Sequence, residues 1–379
     1  MIIGIDVSSV VYGTGVSNYT LNLVRSLLKK DKINTYKLFF TSMRLPVPEE
    51  IKKLSKQPNV KLYQFKIPLT ILSFLWNRLH LVNIEFFIGK CDIFHCSDWT
   101  QPPSIHAKLV TTIHDLTPFL YPHWLPKKIV ETHKQKMYWA ARKCHKFICV
   151  SQNTLDDLLK VFPQIDKSKC QLIYEAAEDK YFQFNKLSPQ EQQKKINTIE
   201  KQYGLRNYIL SQGTREPRKN LKNLILAFNR YLKKHPKSKV ELAISGKYGW
   251  GQDVSTVQHP QIKILGYIPE KDMVALHAAA LFMAYPSFYE GFGLPLVKSM
   301  AVGVPVLTSN TSSLPEIAGE GGIIVKPNSI QSIYKGIEKL LSNKKYRQKI
   351  ASKAIEQAKL FSWSKCASET LDLYSKLIA

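Results

Sequence analysis

Two arginines and a lysine stand close together in the run Gly213-Thr214-Arg215-Glu216-Pro217-Arg218-Lys219-Asn220, between an apolar stretch and an amphipathic one. Asn220 is a good helix N-cap type, so Arg215, Arg218 and Lys219 are expected beside a helix start, where backbone N–H groups lack partners. Fixed cations next to oriented amides suit a diphosphate. A solvated basic turn is the plain alternative; the apolar strand just before the run favours the first reading. A second run, Pro286-Ser287-Phe288-Tyr289-Glu290-Gly291-Phe292-Gly293-Leu294-Pro295, also follows an apolar stretch. Its glycines let backbone come close to a ligand, and Leu294 and Pro295 suit a helix start that aims N–H groups at an anion. Glu290, just ahead, is suited to accept hydrogen bonds from sugar hydroxyls. In a third run, Ser309 to Glu316, the hydroxyl cluster stands open between helix capping and ligand contact.

The chemistry these groups suit is departure of a phosphate-bearing leaving group, stabilised by preorganised donors. No clearly matched carboxylate pair of the glycoside-hydrolysing kind is apparent. The chain has no Asp-x-Asp, so a metal-held diphosphate is not supported, and arginine and lysine are expected to take the place of a metal. The six cysteines include no Cys-x-x-Cys pair. The spacings Cys91–Cys96 and Cys144–Cys149, with His95 and His145 nearby, raise a metal site, but their apolar surroundings read as cysteines packed like small hydrophobes.

Elements able to position such loops are legible along the chain. Short apolar runs predict strands at Ile2–Val7, Tyr36–Thr41, Asp92–Cys96, Leu109–Ile113, Phe147–Val150 and Gln171–Tyr174. In the second half they fall at Tyr208–Gln212, Glu241–Ser245, Ile262–Leu265, Leu281–Tyr285, Val304–Thr308 and Gly322–Val325. Amphipathic stretches such as Ser17–Lys30, Lys127–Cys144, Asn220–Lys234 and Ile330–Leu341 lie between them. This alternation predicts an α/β fold of two doubly wound, parallel-sheet domains facing across a cleft, where loops after the strands bind ligands. The polar segment 184–207 marks the boundary. Ser188-Pro189-Gln190-Glu191 reads as a capping box and Gly204 as the helix stop, predicting a connecting helix rather than a flexible linker. The domains are expected at 1–186, completed by 362–379, and at 187–361.

With 54 Lys and Arg against 29 Asp and Glu, the formal net charge is +25, spread over both halves. That field favours anionic partners without choosing among them. The start has no signal-peptide character, and the apolar runs fall short of the roughly 20 residues needed to cross a bilayer. A cytoplasmic protein is expected.

Together the run from Tyr285 to Gly322 (YPSFYEGFGLPLVKSMAVGVPVLTSNTSSLPEIAGEGG) and the run GTREPRKNLKNLILAF resemble retaining glycosyltransferases of family 4, in the bacterial mannosyltransferase-like branch. Gly13-Thr14-Gly15, Asp92-Ile93-Phe94-His95, Ile113-His114-Asp115, Val150-Ser151-Gln152 and Phe361-Ser362-Trp363 fall in the family's order. The resemblance implies the GT-B fold, with a C-terminal helix crossing back to the first domain. It implies a metal-independent, retaining transfer of a hexose, from GDP-mannose, to a saccharide or lipid-linked saccharide. By the same resemblance, Gly13 and Gly15 approach the donor diphosphate and His114 lies near the transferred hexose. Arg218 and Lys219 neutralise the leaving diphosphate, with Arg218 serving where the family's more usual arginine falls on Thr214, after Gly213. Glu290 binds sugar hydroxyls, Gly291 belongs to the donor-binding loop, and the N–H groups of Phe292, Gly293 and Leu294 are expected to hold the hexose and phosphate. Lys298 stands where the family usually has a second glutamate for the ribose. An ammonium can only donate, so Lys298 is expected to alter ribose recognition and to add charge near the diphosphate. The alternative is a non-catalytic nucleotide-sugar-binding protein on the same fold.

Neither a further cofactor nor a nucleic-acid partner is expected. Lysines 29, 30, 32, 52, 53, 56, 61 and 66 precede the apolar Ile67–Trp76 stretch, and Lys127, Lys128, Lys134 and Lys136 interleave with Trp124, Tyr138 and Trp139. Peripheral docking on an anionic inner membrane face and ordinary solvated helix faces are both open.

Overall fold

A computed structural model describes residues 1–251 and 259–379. The chain divides into two units, Met1–Glu175 with Trp363–Ala379, and Ala176–Ser362.

In the first unit, continuous apolar runs become strands, and the five inner ones are buried along most of their length. The strands are β1 (Ile2–Asp6), β2 (Thr35–Thr41), β3 (Val60–Phe65), β4 (Ile93–Cys96), β5 (Lys108–Ile113), β6 (Lys146–Cys149) and β7 (Cys170–Leu172). They form one parallel sheet in the order β3-β2-β1-β4-β5-β6-β7. β3 is absent from the sequence expectation: it is an edge strand carrying Lys61 and Gln64, so its apolar run is broken. Phe39 and Trp76 pack tilted and both meet Phe87 edge to face in the core, with ring centroids 5.6–5.7 Å apart. Burying each such side chain stabilises by roughly 1.5–3 kcal/mol. The helix Trp363–Ile378 lies against the helix Gly15–Lys30. Trp363 meets Tyr19 at 5.8 Å between ring centroids, and the Tyr374 hydroxyl lies 2.6 Å from His95 Nδ1. Five of the six cysteines are buried and Cys170 is half-buried; Cys91, Cys96 and Cys144 belong to the apolar core.

The second unit holds β8 (Tyr208–Gln212), β9 (Glu241–Ser245), β10 (Ile262–Gly266), β11 (Phe282–Tyr285), β12 (Val306–Ser309) and β13 (Gly322–Val325). Their order, β10-β9-β8-β11-β12-β13, is again all parallel. The predicted helix runs Pro189–Tyr203: Ser188 Oγ accepts from Glu191 N, Glu191 Oε2 accepts from Ser188 N, and Gly204 ends it at φ +62°. Gln202 and Tyr203 then donate to Asp272, fixing the helix on the second unit.

The division falls between Glu175 and Ala176, earlier than the 186/187 boundary read from the sequence. Composition changes at residue 184, but Ala176, Ala177, Tyr181 and Phe184 are already buried in the second unit. There Asn185 Nδ2 donates to Ala301 O at 2.6 Å.

Candidate active site

Each sheet reverses its winding once, between β1 and β4 and between β8 and β11. Such switch points, at the carboxyl ends of the strands, leave a crevice where ligands bind. In the second unit the two flanking loops are the Arg-Lys run after β8 and the Glu-Gly run after β11. Phe288 N donates to Arg218 O at 2.8 Å, so the loops are hydrogen-bonded to each other.

Arg218, Lys219 and Glu290 form a single cluster. Lys219 Nζ donates to Glu290 Oε1 and to the Tyr285 hydroxyl, both at 2.6 Å. Arg218 Nη1 donates to Glu290 Oε2 at 2.5 Å, and its Nε to Glu216 Oε1 at 2.7 Å. Glu290 is buried, which favours the neutral acid, but Arg218 and Lys219 outweigh burial and hold its carboxyl at about 2. Burial pulls the Lys219 ammonium downward and Arg218 adds to this, against the opposite pull of Glu290 and Glu216. Two cations thus face two carboxylates. Both oxygens of Glu290 bond to basic side chains, a pairing the sequence did not show, and each keeps a further lone pair able to accept from a sugar hydroxyl. Gly213 leaves room for this arrangement, because a Cβ there would stand 3.3 Å from Lys219 Cε.

Asn220 also departs from expectation. It precedes the helix Leu221–Lys234 in a left-handed conformation, φ +56°, and its side chain makes no cap bond. Instead Nδ2 donates to Pro286 O and Pro327 O, at 2.9 and 2.8 Å, binding the β8 loop to two others. Thr214 is exposed, and Arg215 lies with its guanidinium 5.8 Å from the Tyr248 ring.

Gly293 takes φ +101° immediately before the helix Leu294–Ala301, a conformation that strains any residue with a side chain. Pro295 lies in that helix's first turn, as expected. Gly291 and Phe292 are buried, and the Phe292 ring meets Phe361 edge-on at 5.5 Å. The hydroxyls of the third run neither cap nor stand open. Ser309 Oγ donates to Ser287 O, Thr311 Oγ1 to Phe288 O, and Ser313 Oγ to Glu290 O and Phe292 O. Ser312 Oγ accepts from Glu290 N at 3.0 Å. This brace holds the glycine-rich loop rigid, and sequence reasoning missed it because its partners are carbonyls of a neighbouring loop.

Lys298 is buried on the helix Leu294–Ala301. Its Nζ lies 3.2 Å from Glu178 Oε1, 3.9 Å from Glu270 Oε1 and 5.1 Å from the Tyr181 ring centroid. The ammonium is thus met by two carboxylates, which the sequence did not show.

In the first unit, Thr14, between the exposed Gly13 and Gly15, forms a capping box with Ser17 at the helix Gly15–Lys30. A Cβ at either glycine meets no atom within 4 Å. His114 follows β5; its Nδ1 lies 3.2 Å from Glu175 Oε1, and Tyr19 packs edge-on at 4.7 Å. Burial lowers the imidazole's pKa, but the hydrogen bond and charge of Glu175, with Asp98 and Asp115, win, and the net direction is upward. Glu175 carried no sequence signal. Lys136 is corrected too: it is buried with Nζ donating to Thr111 Oγ1 at 2.9 Å, and belongs to no exposed basic face. Among the described residues no group of three potential metal-ligating side chains occurs.

Two all-parallel Rossmann-like units, with basic, glycine-rich and carboxylate loops at a switch point, define a glycosyltransferase of the GT-B class. The profile described as "Glycosyltransferase Family 4" matches residues 13–179, and that described as "Glycosyl transferases group 1" matches residues 190–357. The chain is 30% identical to O-antigen chain mannosyltransferase B of Escherichia coli, covering 96% of both chains. It is 27% identical to O-antigen chain mannosyltransferase RfbU of Salmonella typhimurium, over 60% of each. A crystal structure of Anabaena HepE in complex with UDP-glucose superposes with a TM-score of 0.73 at 17% identity, over 99% of this chain and 100% of that one. The chain belongs to glycosyltransferase family 4, in its bacterial mannosyltransferase-like branch.

Proposed function

We propose that this glycosyltransferase moves mannose from GDP-mannose, with retention of configuration and without a metal, onto a saccharide or lipid-linked saccharide of a growing polysaccharide. The anomeric C–O bond to the diphosphate breaks, a bond to an acceptor hydroxyl oxygen forms, and the hydroxyl proton leaves with the GDP. The observation that carries the reading is the joining of Arg218, Lys219 and Glu290 into one cluster at the β8/β11 switch point. Positioned cations and amides there stabilise the departing diphosphate by electrostatics fixed before the reaction starts. In this reading Gly213, Thr214, Gly291, Phe292, Gly293 and Leu294 lie along the donor, Gly13 and Gly15 approach its phosphates, and His114 serves the transferred hexose. The names of the O-antigen mannosyltransferases support the choice of mannose and of a polysaccharide product. A lipid-linked acceptor would draw the chain to the inner face of a membrane, and the net charge of +25 suits that. No helix among the described residues is long and apolar enough to cross it. The alternative, a non-catalytic nucleotide-sugar binder, rests on Lys298 standing where the family usually has a second glutamate, and turnover in the assay below separates the two readings. The test is GDP release from GDP-mannose with oligomannosides as acceptors. Wild type is expected to turn over and Arg218→Ala to lose most of the rate; equal release from both excludes the phosphate role.

A further inference from the structure

The first unit carries an exposed apolar surface that the transfer chemistry does not use. After β3 the chain forms a short helix, Leu69–Ser73, that widens into a π-helix, Phe74–Leu79. It then reverses through His80 and Val82, both left-handed, at φ +53° and +63°. For a β-branched valine this is a strained conformation, of the kind that collects at functional sites. The reversal is built from within. Trp76, fully buried, donates its indole N–H to Val82 O at 2.9 Å, and Leu81 N donates to Leu75 O at 2.9 Å. The outcome is a stiff hook that holds Leu79, Leu81 and Val82 in solvent, with Phe74 and Phe86 also exposed, Phe86 at 80%. An apolar surface that the fold goes to such lengths to present marks an interaction site.

Charge around the hook identifies the partner. The acidic side chains between residues 66 and 108 are Glu85, Asp92 and Asp98. Glu85 Oε1 accepts from Ser104 Oγ and from the amides of Ile105, His106 and Ala107; Asp92 accepts from Ile2 N; Asp98 faces His133. All three carboxylates are turned into the fold, while Lys66, Arg78 and Lys90 remain exposed. The hook is also continuous with the helix Lys127–Lys143, because His80 stacks flat on Trp139 with ring centroids 3.9 Å apart. Beside that stack stand Tyr138, covered by the Arg142 guanidinium at 3.7 Å, and the exposed Lys143. The two basic-aromatic segments that look separate in the sequence therefore meet.

We infer that this face docks on an anionic lipid bilayer, with Leu79, Leu81, Val82 and Phe86 entering the headgroup boundary and Arg78, Arg142 and Lys143 meeting lipid phosphates. Apolar insertion and basic attraction are the two signals that stable peripheral anchoring requires. The purpose of the contact rests on the membrane-held acceptor proposed above; its geometry does not. The test is co-sedimentation of the full chain with vesicles of phosphatidylcholine alone or mixed with phosphatidylglycerol. Leu81→Asp/Phe86→Asp is compared with wild type, and GDP release with a soluble acceptor is followed in parallel. Wild type is expected on the mixed vesicles, and the double variant to bind at least tenfold more weakly with GDP release unchanged. Arg78→Glu is expected to weaken binding about fivefold or more. Equal sedimentation of the double variant and wild type overturns the hook while leaving docking by charge. Failure of wild type to bind either vesicle overturns the membrane contact itself. A wild-type dimer that the double variant abolishes in analytical ultracentrifugation reassigns the face to self-association and overturns the inference.

Discussion

Lys219 Nζ and Glu290 Oε1 stand 2.6 Å apart across two loops that reach the β8/β11 switch point from different strands. The pair is buried, so the loops cannot part without exposing uncompensated charge to an apolar interior. Glu290→Gln is expected to destabilise the second unit by about 3–5 kcal/mol, since Arg218 and Lys219 then lose their shared carboxylate. Lys219→Met is expected to cost less, because Arg218 still pairs Glu290. Urea unfolding of the two variants ranks them; a larger loss for Lys219→Met contradicts the assignment of Glu290 as the common partner.

Acid should release the same cluster. The Glu290 carboxyl titrates at about 2 in the folded chain, against 4.5 ordinarily. Its stabilisation is thus complete above pH 4.5 and is lost as pH falls from there through about 2. In thermal melts across that window, Glu290→Gln is expected to flatten the fall. A slope identical to wild type contradicts the low value.

His114 gives the opposite sign. Its folded pKa lies above the ordinary histidine value, so its pairing with Glu175 stabilises fully at low pH and fades as pH rises through the folded value. Histidine NMR titration is expected to place His114 above 6.5, and Glu175→Gln to move it down. No movement in that variant would separate the two residues.

Lys298 answers to charge reversal. Lys298→Glu sets a third carboxylate against Glu178 and Glu270, and a loss of about 3–5 kcal/mol is expected. Adding Glu178→Lys should restore part of it, a coupling of about 0.5–3 kcal/mol in a double-mutant cycle. Strictly additive effects would show the pair to be uncoupled.

Much of this was legible in the sequence because it is written locally. The capping box at Ser188 and Glu191, the stop at Gly204 and the unbroken apolar strands state their structure within a few residues. The edge strand Val60–Phe65 was hidden because half-exposed residues interrupt its pattern. At the site, the residue types were readable and their partners were not. Glu290 next to a helix start says nothing of Arg218, 72 residues away, and the hydroxyls of Ser309, Thr311 and Ser313 gain meaning only against the carbonyls they reach. Lys136 reads as one more surface lysine on a basic helix; only the sheet beneath, offering Thr111, reveals it as buried.

The central claim is that the Arg218–Lys219–Glu290 cluster receives the donor's diphosphate. Calorimetric titration of GDP into wild type and Lys219→Met addresses it most directly. A single wild-type site weakened at least tenfold in the variant is expected, the worth of one charge-assisted hydrogen bond. Equal affinity of the two proteins, or no GDP binding by wild type, would contradict the account.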